Sequence, residues 1–330
     1  MVISKSEQSY IRSSLLAGDS HRADGRGLDR FRTISLQAGG DVAPLANGSA
    51  RVNIGGSEVI AAVKLEGPSG DDEALGRNGG RISCTITCSQ SAYPYKTNSQ
   101  LDETSSDLTS IISSALSSSI TPSPQLTIVP NKKSWLLNVD ALVLSDAGNI
   151  LDALFISIRG ALWDLKIPRT RGIQFTSREP GDLEGEADIM KGVLRERKQI
   201  DAVDFELEDF WEDGDPLVNR DSLPIAISLN ILHPIYFLDA CLAEEESAPD
   251  RLVLFFSFPS PAKSARYSSG GVAPGTLHGI HLMGPGELPY TRLMPLIAQG
   301  EKHARELCVA LNSMLRGEDA KINAQTTIRR

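Results

Sequence analysis

Residues 143–155 read VLSDAGNILDALF and join an apolar strand to an apolar helix through a short turn. The strand, residues 135–144, runs into Ser145-Asp146-Ala147-Gly148, and a helix is predicted from there with Asn149 as its N-cap. A helix start offers unpaired backbone N–H groups and a partial positive charge, and both attract phosphate. The turn therefore has the layout of a phosphate-binding site.

The side chains at this helix start do not match that layout. Asn149, Ile150, Leu151 and Asp152 include no Ser, Thr, Lys or Arg. Asp152 is expected to add negative charge where an anion would sit. Other parts of the sequence are needed to tell whether this turn forms an active site or only resembles one.

The composition is that of an ordinary globular protein. The chain has 330 residues, 41% of them hydrophobic and 23% charged, which is enough for one large domain or two smaller ones. No apolar run reaches the roughly 18 residues of a membrane span. The first 20 residues lack the apolar core of a signal peptide and predict a short amphipathic helix.

The net charge of −9 limits the possible partners. A protein that binds nucleic acid alone usually has a basic surface, because neutralising phosphates drives the affinity. If RNA is a ligand of this chain, other chains must supply much of the positive charge.

The four cysteines predict a reducing compartment and no metal site. In "RISCTITC", residues 81–88, Cys84 and Cys88 alternate with polar residues, which is typical of a strand with both thiols on its buried face. Cys241 and Cys308 form no ligand pair with them, so zinc is not expected.

Hydrophobic periodicity predicts strands and helices in two successive groups. In the first group, a hairpin turns at Gly55-Gly56 within residues 49–66, and apolar residues on both faces of its strands and of strand 135–144 favour strands covered on each side. The remaining predicted strands are residues 81–88, 126–129, 223–231, 234–239, 251–258 and 277–282, and the predicted helices are 105–120, 150–166 and 295–315. The last helix is expected to bury Leu296, Ile297, Leu307, Cys308, Leu311 and Met314.

This order indicates an α/β (α+β) protein with two similar lobes, in which mixed sheets pack against helices. The predicted organisation is an N-terminal helix (1–20), a first lobe (21–175), an acidic insertion (176–215), and a second lobe with the C-terminal helix (216–330).

Other candidate motifs are weak. His278 and His281 would face opposite sides of a strand, which favours a surface pair over a metal site. The acids Glu244 to Glu246, and those of 201–215, could bind magnesium but are more typical of solvated loops. Gly55-Gly56 and Gly79-Gly80 lack a following Lys-[Ser/Thr] and are interpreted as turns.

Three longer stretches carry a family resemblance. "RADGRGLDRFRTI" (22–34), "NGSARVNIGGSEVIAAVKLE" (47–66) and "LNVDALVLSDAGNILDALFISIRGAL" (137–162) resemble the RNase PH family in order and spacing. "YFLDACLAEEE" (236–246), followed by the strand "RLVLFF", resembles the branch of that family found in exosome rings. The resemblance implies the two-lobed RNase PH-like fold, which is similar to ribosomal protein S5 domain 2.

The resemblance also implies a site that lacks the residues with which active members bind phosphate and cleave RNA. Active members carry Gly-[Ser/Thr]-Arg at this helix start to hold the phosphate that attacks the RNA 3′ end, whereas this chain has Gly148-Asn149-Ile150-Leu151 followed by Asp152. Active members also place an acidic residue in the second lobe, and Asp239 lies in the pattern of the non-catalytic branch. The RNA-holding arginines of archaeal relatives correspond to the region of three serines, Ser110, Ser114 and Ser117.

The expected function is therefore a non-catalytic subunit of a six-membered exosome ring, without cofactor or metal. Its expected partners are other RNase PH-like subunits, S1/KH cap proteins, RNA in the channel and a separate nuclease, with no membrane, in the nucleus, nucleolus and cytoplasm. Arg77 and Arg81 are candidate RNA contacts, and Lys132-Lys133 are interpreted as a solvated turn. The alternatives are an active phosphorolytic 3′-to-5′ exoribonuclease and an unrelated α/β binding or metabolic protein.

Overall fold

The computed structural model describes residues 3–17, 22–67, 81–119, 124–129, 133–173, 204–207, 214–259 and 274–329. It has two main sheets on either side of one buried helix. The helices are α1 (Lys5–Leu16), α2 (Asn98–Ser119), α3 (Ile150–Asp164), α4 (Leu242–Ser247) and α5 (Tyr290–Arg329). Among these residues no helix is long and apolar enough to cross a membrane.

The first sheet has five strands in the order β1-β2-β3-β7-β4. Its strands are β1 (Ile34–Ala38), β2 (Gly48–Ile54), β3 (Ser57–Glu66), β4 (Arg81–Cys88) and β7 (Leu136–Ser145). The β2–β3 hairpin around Gly55-Gly56 is confirmed, and both glycines have positive φ, as such a turn requires. β4 pairs in parallel with β7, which brings the ends of both strands to the same edge of the sheet.

Burial in the first sheet alternates along β3 and through most of the other strands, although Gly48, Ser49 and Ala50 of β2 are all buried. In β3 every second residue from Ser57 to Leu65 is buried, and Cys84 and Cys88 of β4 lie on the same inner face, as predicted. Burial raises the pKa of the Cys84 thiol to about 12, so this thiol is unreactive. Among the described residues no helix covers the outer face of these strands, so their covering on each side stays a prediction about the assembled ring.

The second sheet has four strands in the order β13-β12-β14-β15. Its strands are β12 (Ile225–Leu232), β13 (Ile235–Leu238), β14 (Asp250–Ser257) and β15 (Thr276–Met283). Here β12 and β14 are buried on both faces, since α3 covers one face and α5 the other. One hydrophobic core therefore runs through both sheets, while the predicted domain boundaries stay a prediction.

Three helix boundaries differ from the prediction. α2 begins at Asn98 because Thr97 and Gln100 form a capping box and Leu101 lies seven residues before Leu108 on the buried face. α3 ends at Asp164, and α5 extends to Arg329. The predicted burial of Met314 is wrong, since its side chain is 37% exposed and the adjacent Leu315 is buried instead.

Short strand pairs complete the fold. They are β5 (Thr127–Val129) with β6 (Lys133–Ser134), β8 (Lys166–Ile167) with β11 (Asp215–Pro216), and β9 (Thr170–Ile173) with β10 (Asp204–Leu207). The last two pairs include residues 204–207 and 215 of the predicted acidic insertion (176–215). Residues 176–203 and 208–213 lie outside the described residues.

Candidate functional site

The start of α3 lies at the centre of the molecule, against the loop that follows β13. Gly148 has a φ of +97°, and a Cβ there would come 2.5 Å from the carbonyl oxygen of Ala240. Leu242 donates its backbone N–H to the carbonyl of Ala147 at 3.1 Å. The turn and the second-lobe loop are therefore in direct contact.

Asn149 occupies the predicted N-cap position of α3 but does not cap the helix with its side chain. Its φ is 59°, in the left-handed region, which asparagine tolerates better than most residues. The Nδ2 group instead donates to Asp152 at 3.1 Å and to Asp239 at 3.0 Å. This side chain links two buried carboxylates that are far apart in the sequence.

The backbone N–H at the helix start is bound by a side chain from the second lobe. The Oε1 atom of Glu245 accepts from Asn149 N at 2.7 Å, and its Oε2 atom lies 3.1 Å from Nη2 of Arg251. Burial raises the pKa of Glu245, while Arg251 and this N–H oppose the rise. Asp146 accepts from Gly148 N at 2.9 Å, so carboxylates bind the N–H groups of both Gly148 and Asn149 in this turn.

The predicted role of Asp152 is wrong. Its side chain does not face the place where an anion would sit; it is fully buried between α3 and β12. It accepts from the hydroxyl of Ser228 at 2.7 Å and from the Ser228 backbone N–H at 3.3 Å. Burial raises the pKa of Asp152 to about 7, even though the bonds from Ser228 and Asn149 favour the charged form.

Asp239 is the acidic residue that the sequence analysis named in the second lobe, and both of its carboxylate oxygens accept hydrogen bonds. It has no exposed surface, and its backbone adopts a left-handed φ of +46°. Oδ1 accepts from Arg32 at 2.8 Å and Oδ2 accepts from Arg26 at 2.9 Å. Burial acts to raise its pKa, yet the hydrogen bonds and charge of Arg32 hold the pKa below its ordinary value.

The arginines come from the segment that carries the family resemblance at residues 22–34. Arg22 donates from Nε and Nη2 to Glu244 at 2.9 and 2.5 Å, and from Nη1 to the carbonyl of Leu238. Arg32 also donates to the carbonyls of Ala147 and Gly148, both at 2.9 Å. The sequence shows four arginines within the eleven residues 22–32, but it does not show the partners of the three that bind here, Arg22, Arg26 and Arg32.

The interpretation of Glu244 to Glu246 as solvated acids is wrong. Glu244 is buried with Arg22, Glu245 binds the α3 start, and Glu246 accepts from the backbone of Ile3 at 3.0 Å. α1 lies on α4 and helps to hold this segment in place. Within the described ranges, no cluster of three or more His, Cys, Asp or Glu side chains could hold a metal ion.

The remaining candidates are dispersed. Ser110, Ser114 and Ser117 are exposed on α2. Arg81 is exposed at the start of β4, whereas Arg77, Lys132 and Gly79-Gly80 lie outside the described residues.

Lys133 is in a strand rather than a turn, with Nζ 5.7 Å from the ring centre of Phe205, so its interpretation as solvated is wrong. His278 Nε2 lies 2.6 Å from Ser257 Oγ, while His281 is exposed.

Comparison with protein families connects this geometry to known proteins. Residues 30–168 match the RNase PH family model described as "3′ exoribonuclease family, domain 1". The chain carries an RNase PH-family domain. This range contains the whole of β2, β3, β7 and α3, so the predicted family is confirmed on the first-lobe part of the site, whereas Asp239 and Glu245 lie outside the matched range.

The chain is similar to proteins named "Exosome complex component Rrp42". One from Methanocella arvoryzae is 32% identical over 171 residues, a match that covers 52% of this chain and 64% of that relative. One from Methanopyrus kandleri is 26% identical over 254 residues, which covers 77% of this chain and 81% of the relative. Over the matched residues the chain is thus similar to Rrp42 proteins, and it spans just under two thirds of the Methanocella arvoryzae relative.

The fold is also similar to a solved structure. It matches a chain of an Archaeoglobus fulgidus exosome with RNA bound to the active site, with a TM-score of 0.62 and 22% identity. The match covers 91% of this chain and 96% of that chain. The predicted RNase PH-like α/β fold is therefore confirmed over both main sheets.

Proposed function

We propose that this chain is a non-catalytic structural subunit of an RNA exosome core ring. In this role it helps to build the channel through which RNA reaches a separate nuclease. The proposal is supported by the Rrp42 names of its relatives and by a likeness to an exosome chain over almost its whole length.

The observation that carries the proposal is the occupied start of α3. A phosphorolytic site needs a free anion position and an acidic group within reach of substrate. Here the carboxylate of Glu245 binds the helix N–H, and Asp239 is buried between Arg26 and Arg32. Neither group is available to an incoming phosphate or RNA end.

A phosphorolysis assay tests this assignment. Purified chain, incubated with single-stranded RNA, magnesium and inorganic phosphate, should release nucleoside diphosphate no faster than a sample without protein. An active RNase PH enzyme serves as the positive control. Release that depends on phosphate, and that is lost when the 146–149 turn is altered, would favour an active exoribonuclease instead.

The proposed partners are other RNase PH-like subunits in a six-membered ring, S1/KH cap proteins and a separate nuclease. RNA is bound through the assembled channel rather than by this chain alone, because the net charge is −9 and the exposed face of α2 carries Ser110, Ser114 and Ser117. Arg77 and Arg81 are the proposed RNA contacts. We place the complex in the nucleus, nucleolus and cytoplasm.

Affinity purification of the tagged chain, followed by mass spectrometry, tests these partners. Ring subunits and cap proteins should dominate the recovered proteins. Recovery of the chain as a lone monomer, with no affinity for RNase PH-like proteins at micromolar concentration, would count against both the assembly and its role in RNA processing.

A further inference from the structure

β15 is the outer strand of the second sheet, and its free edge is unprotected. Among the described residues its backbone forms ladder hydrogen bonds with β14 alone. Every second residue of such a strand turns its backbone N–H and C=O away from the sheet, and proteins usually block these groups with lysine, proline or a covering element. The sequence of β15 reads TLHGIHLM and contains no lysine, arginine, acid or proline.

Other edges of the two sheets are covered by the chain itself. At the edge formed by β4, the N–H of Ile86 donates to Thr109 Oγ1 of α2 at 3.0 Å. At the opposite edge of the second sheet, Leu238 of β13 donates its N–H to the carbonyl of Leu28 at 2.8 Å. The open edge of β15 therefore differs from these two.

The side chains along this edge are apolar and exposed. Ile280 and Leu282 are 44% and 41% exposed, although α2 lies near the strand. Ile280 pairs with Leu254, which lies against Gly300 of α5, so Ile280 and Leu282 are both on the α5 side of the sheet. The ladder with β14 is regular over residues 279–283, which leaves a straight edge of five residues for another strand.

We propose that this edge binds the β15 edge of a second copy of the chain, antiparallel and centred on His281. This register sets Ile280 opposite Leu282 of the copy, and Leu282 opposite Ile280 of the copy, so that four apolar side chains cover one another. Pairing centred on Ile280 would set Leu282 opposite His278, and pairing centred on Leu282 would set Ile280 opposite Gly284. The two-fold axis makes the contact self-complementary, and the contact is independent of the catalytic silence of the site.

A cysteine at the two-fold axis tests this pairing. His281→Cys places two thiols directly opposite each other, and the Cβ atoms of such a pair are within about 5.5 Å, near the spacing of a disulfide. In oxidised glutathione, His281→Cys should form a covalent dimer that dithiothreitol reverses. Thr276→Cys is the matched control, because it lies at the exposed far end of the strand and should form no dimer. Wild type controls for the native cysteines.

Sedimentation tests the same contact without cysteines. Ile280→Lys adds a charge to the edge of each copy and should weaken dimerisation by about ten-fold or more. Val309→Lys makes the same change at a position of α5 that is 66% exposed, and it should leave dimerisation unchanged. Leu142→Lys changes the first sheet and should leave the disulfide yield of His281→Cys unchanged.

Three results would overturn the inference. The first is equal crosslinking of His281→Cys and Thr276→Cys, and the second is an Ile280→Lys chain that sediments like the wild type. The third is a His281→Cys chain that forms no disulfide alone and whose thiol is protected from iodoacetamide only after co-expression with a related subunit, which would assign the edge to that subunit. Phosphorolysis by the wild type would refute the proposed function without changing these readouts.

Discussion

The two sheets on either side of α3 bury their residues in different ways. The first sheet buries one face, so that in β3 Ala61 is inaccessible while Ile60 and Ala62 are half-buried. The second sheet buries both faces of β12 and β14, and six consecutive residues from Ile225 to Asn230 are inaccessible or nearly so.

This difference shows which surface is free for a partner. Helices of the same chain cover both faces of the second sheet. No helix among the described residues covers the outer face of the first sheet. The two sheets are joined to α3 by a shared apolar core and by the buried polar contacts of Asp239 and Asp152. Substitutions in the two sheets and at these polar contacts test how much each contributes to the free energy of unfolding.

The largest loss of stability is expected from Asp239→Asn, which breaks the polar contact between the second sheet, α3 and the segment at 22–34. Asparagine tolerates the left-handed backbone, so the change removes mainly the charge. Because the buried guanidinium of Arg32 would lose its carboxylate partner and Arg26 would keep only its pair with Asp24, the free energy of unfolding should fall by about 3–5 kcal/mol. Urea denaturation measures this.

An exposed ion pair provides the control for Asp239. Asp215 pairs with Arg169 at 2.7 Å, and both side chains are about half exposed. Asp215→Asn should give no measurable change in stability. Equal stabilities for the two variants would mean that the buried contact does not hold the sheets together.

A matched pair of leucines tests the comparison directly. Leu254 in β14 has no exposed surface, and Leu142 in β7 is 37% exposed on the open face. Leu254→Ala should cost about 3 kcal/mol because it leaves a cavity between β14 and α5, where Leu254 lies against Gly300, whereas Leu142→Ala should cost about 0.5 kcal/mol. If urea denaturation gives similar losses in the free energy of unfolding for both variants, the outer face of the first sheet is covered in the isolated chain.

A smaller effect is expected from the protonation of Asp152 between α3 and β12. Its pKa is about 7 in the folded chain against a usual value of 3.8, so the folded state retains a proton that the unfolded state has lost. The stability contributed by this group is therefore present below about pH 4 and is lost as the pH rises through 7.

The variant Asp152→Asn isolates that contribution. The stability of the wild type relative to Asp152→Asn should fall by about 2–3 kcal/mol between pH 5 and pH 8. Thermal unfolding of both chains across this range measures the difference. A difference that is independent of pH would place the titration of Asp152 outside this interval.

The smallest effect on stability, but a visible effect on association, is expected from Leu142→Lys. This change places a charge at the centre of the open face, beside Ile60 on the neighbouring strand. It should alter the free energy of unfolding by less than about 0.5 kcal/mol.

The readout of that variant is self-association of the isolated chain. We expect wild-type chain to self-associate in analytical ultracentrifugation and to become soluble when co-expressed with a related subunit, since exposed apolar patches favour association. Leu142→Lys should reduce the self-association. Unchanged sedimentation would show that another surface is responsible.

The sequence alone determined the local elements and the family. Alternation in residues 49–66 and 81–88 reports which side chains are buried, because a strand turns alternate residues to opposite faces. The strongly apolar composition of 150–166 predicts a buried helix, and the structure buries every residue from Ile150 to Trp163. The quoted motifs were sufficient for the RNase PH family, whose model matches 30–168.

The tertiary structure decided what the polar residues at the turn contact. Asn149 and Glu245 are 96 residues apart, and Arg32 and Asp239 are 207 residues apart. Periodicity states which face of an element is covered, but it does not state which side chain lies opposite. For that reason Asp152 was assigned to an anion position when it binds Ser228, and Glu245 was assigned to solvent when it binds the helix start. Buried polar groups must find partners, and only the packing of α3 between the two sheets determines which partners are within reach.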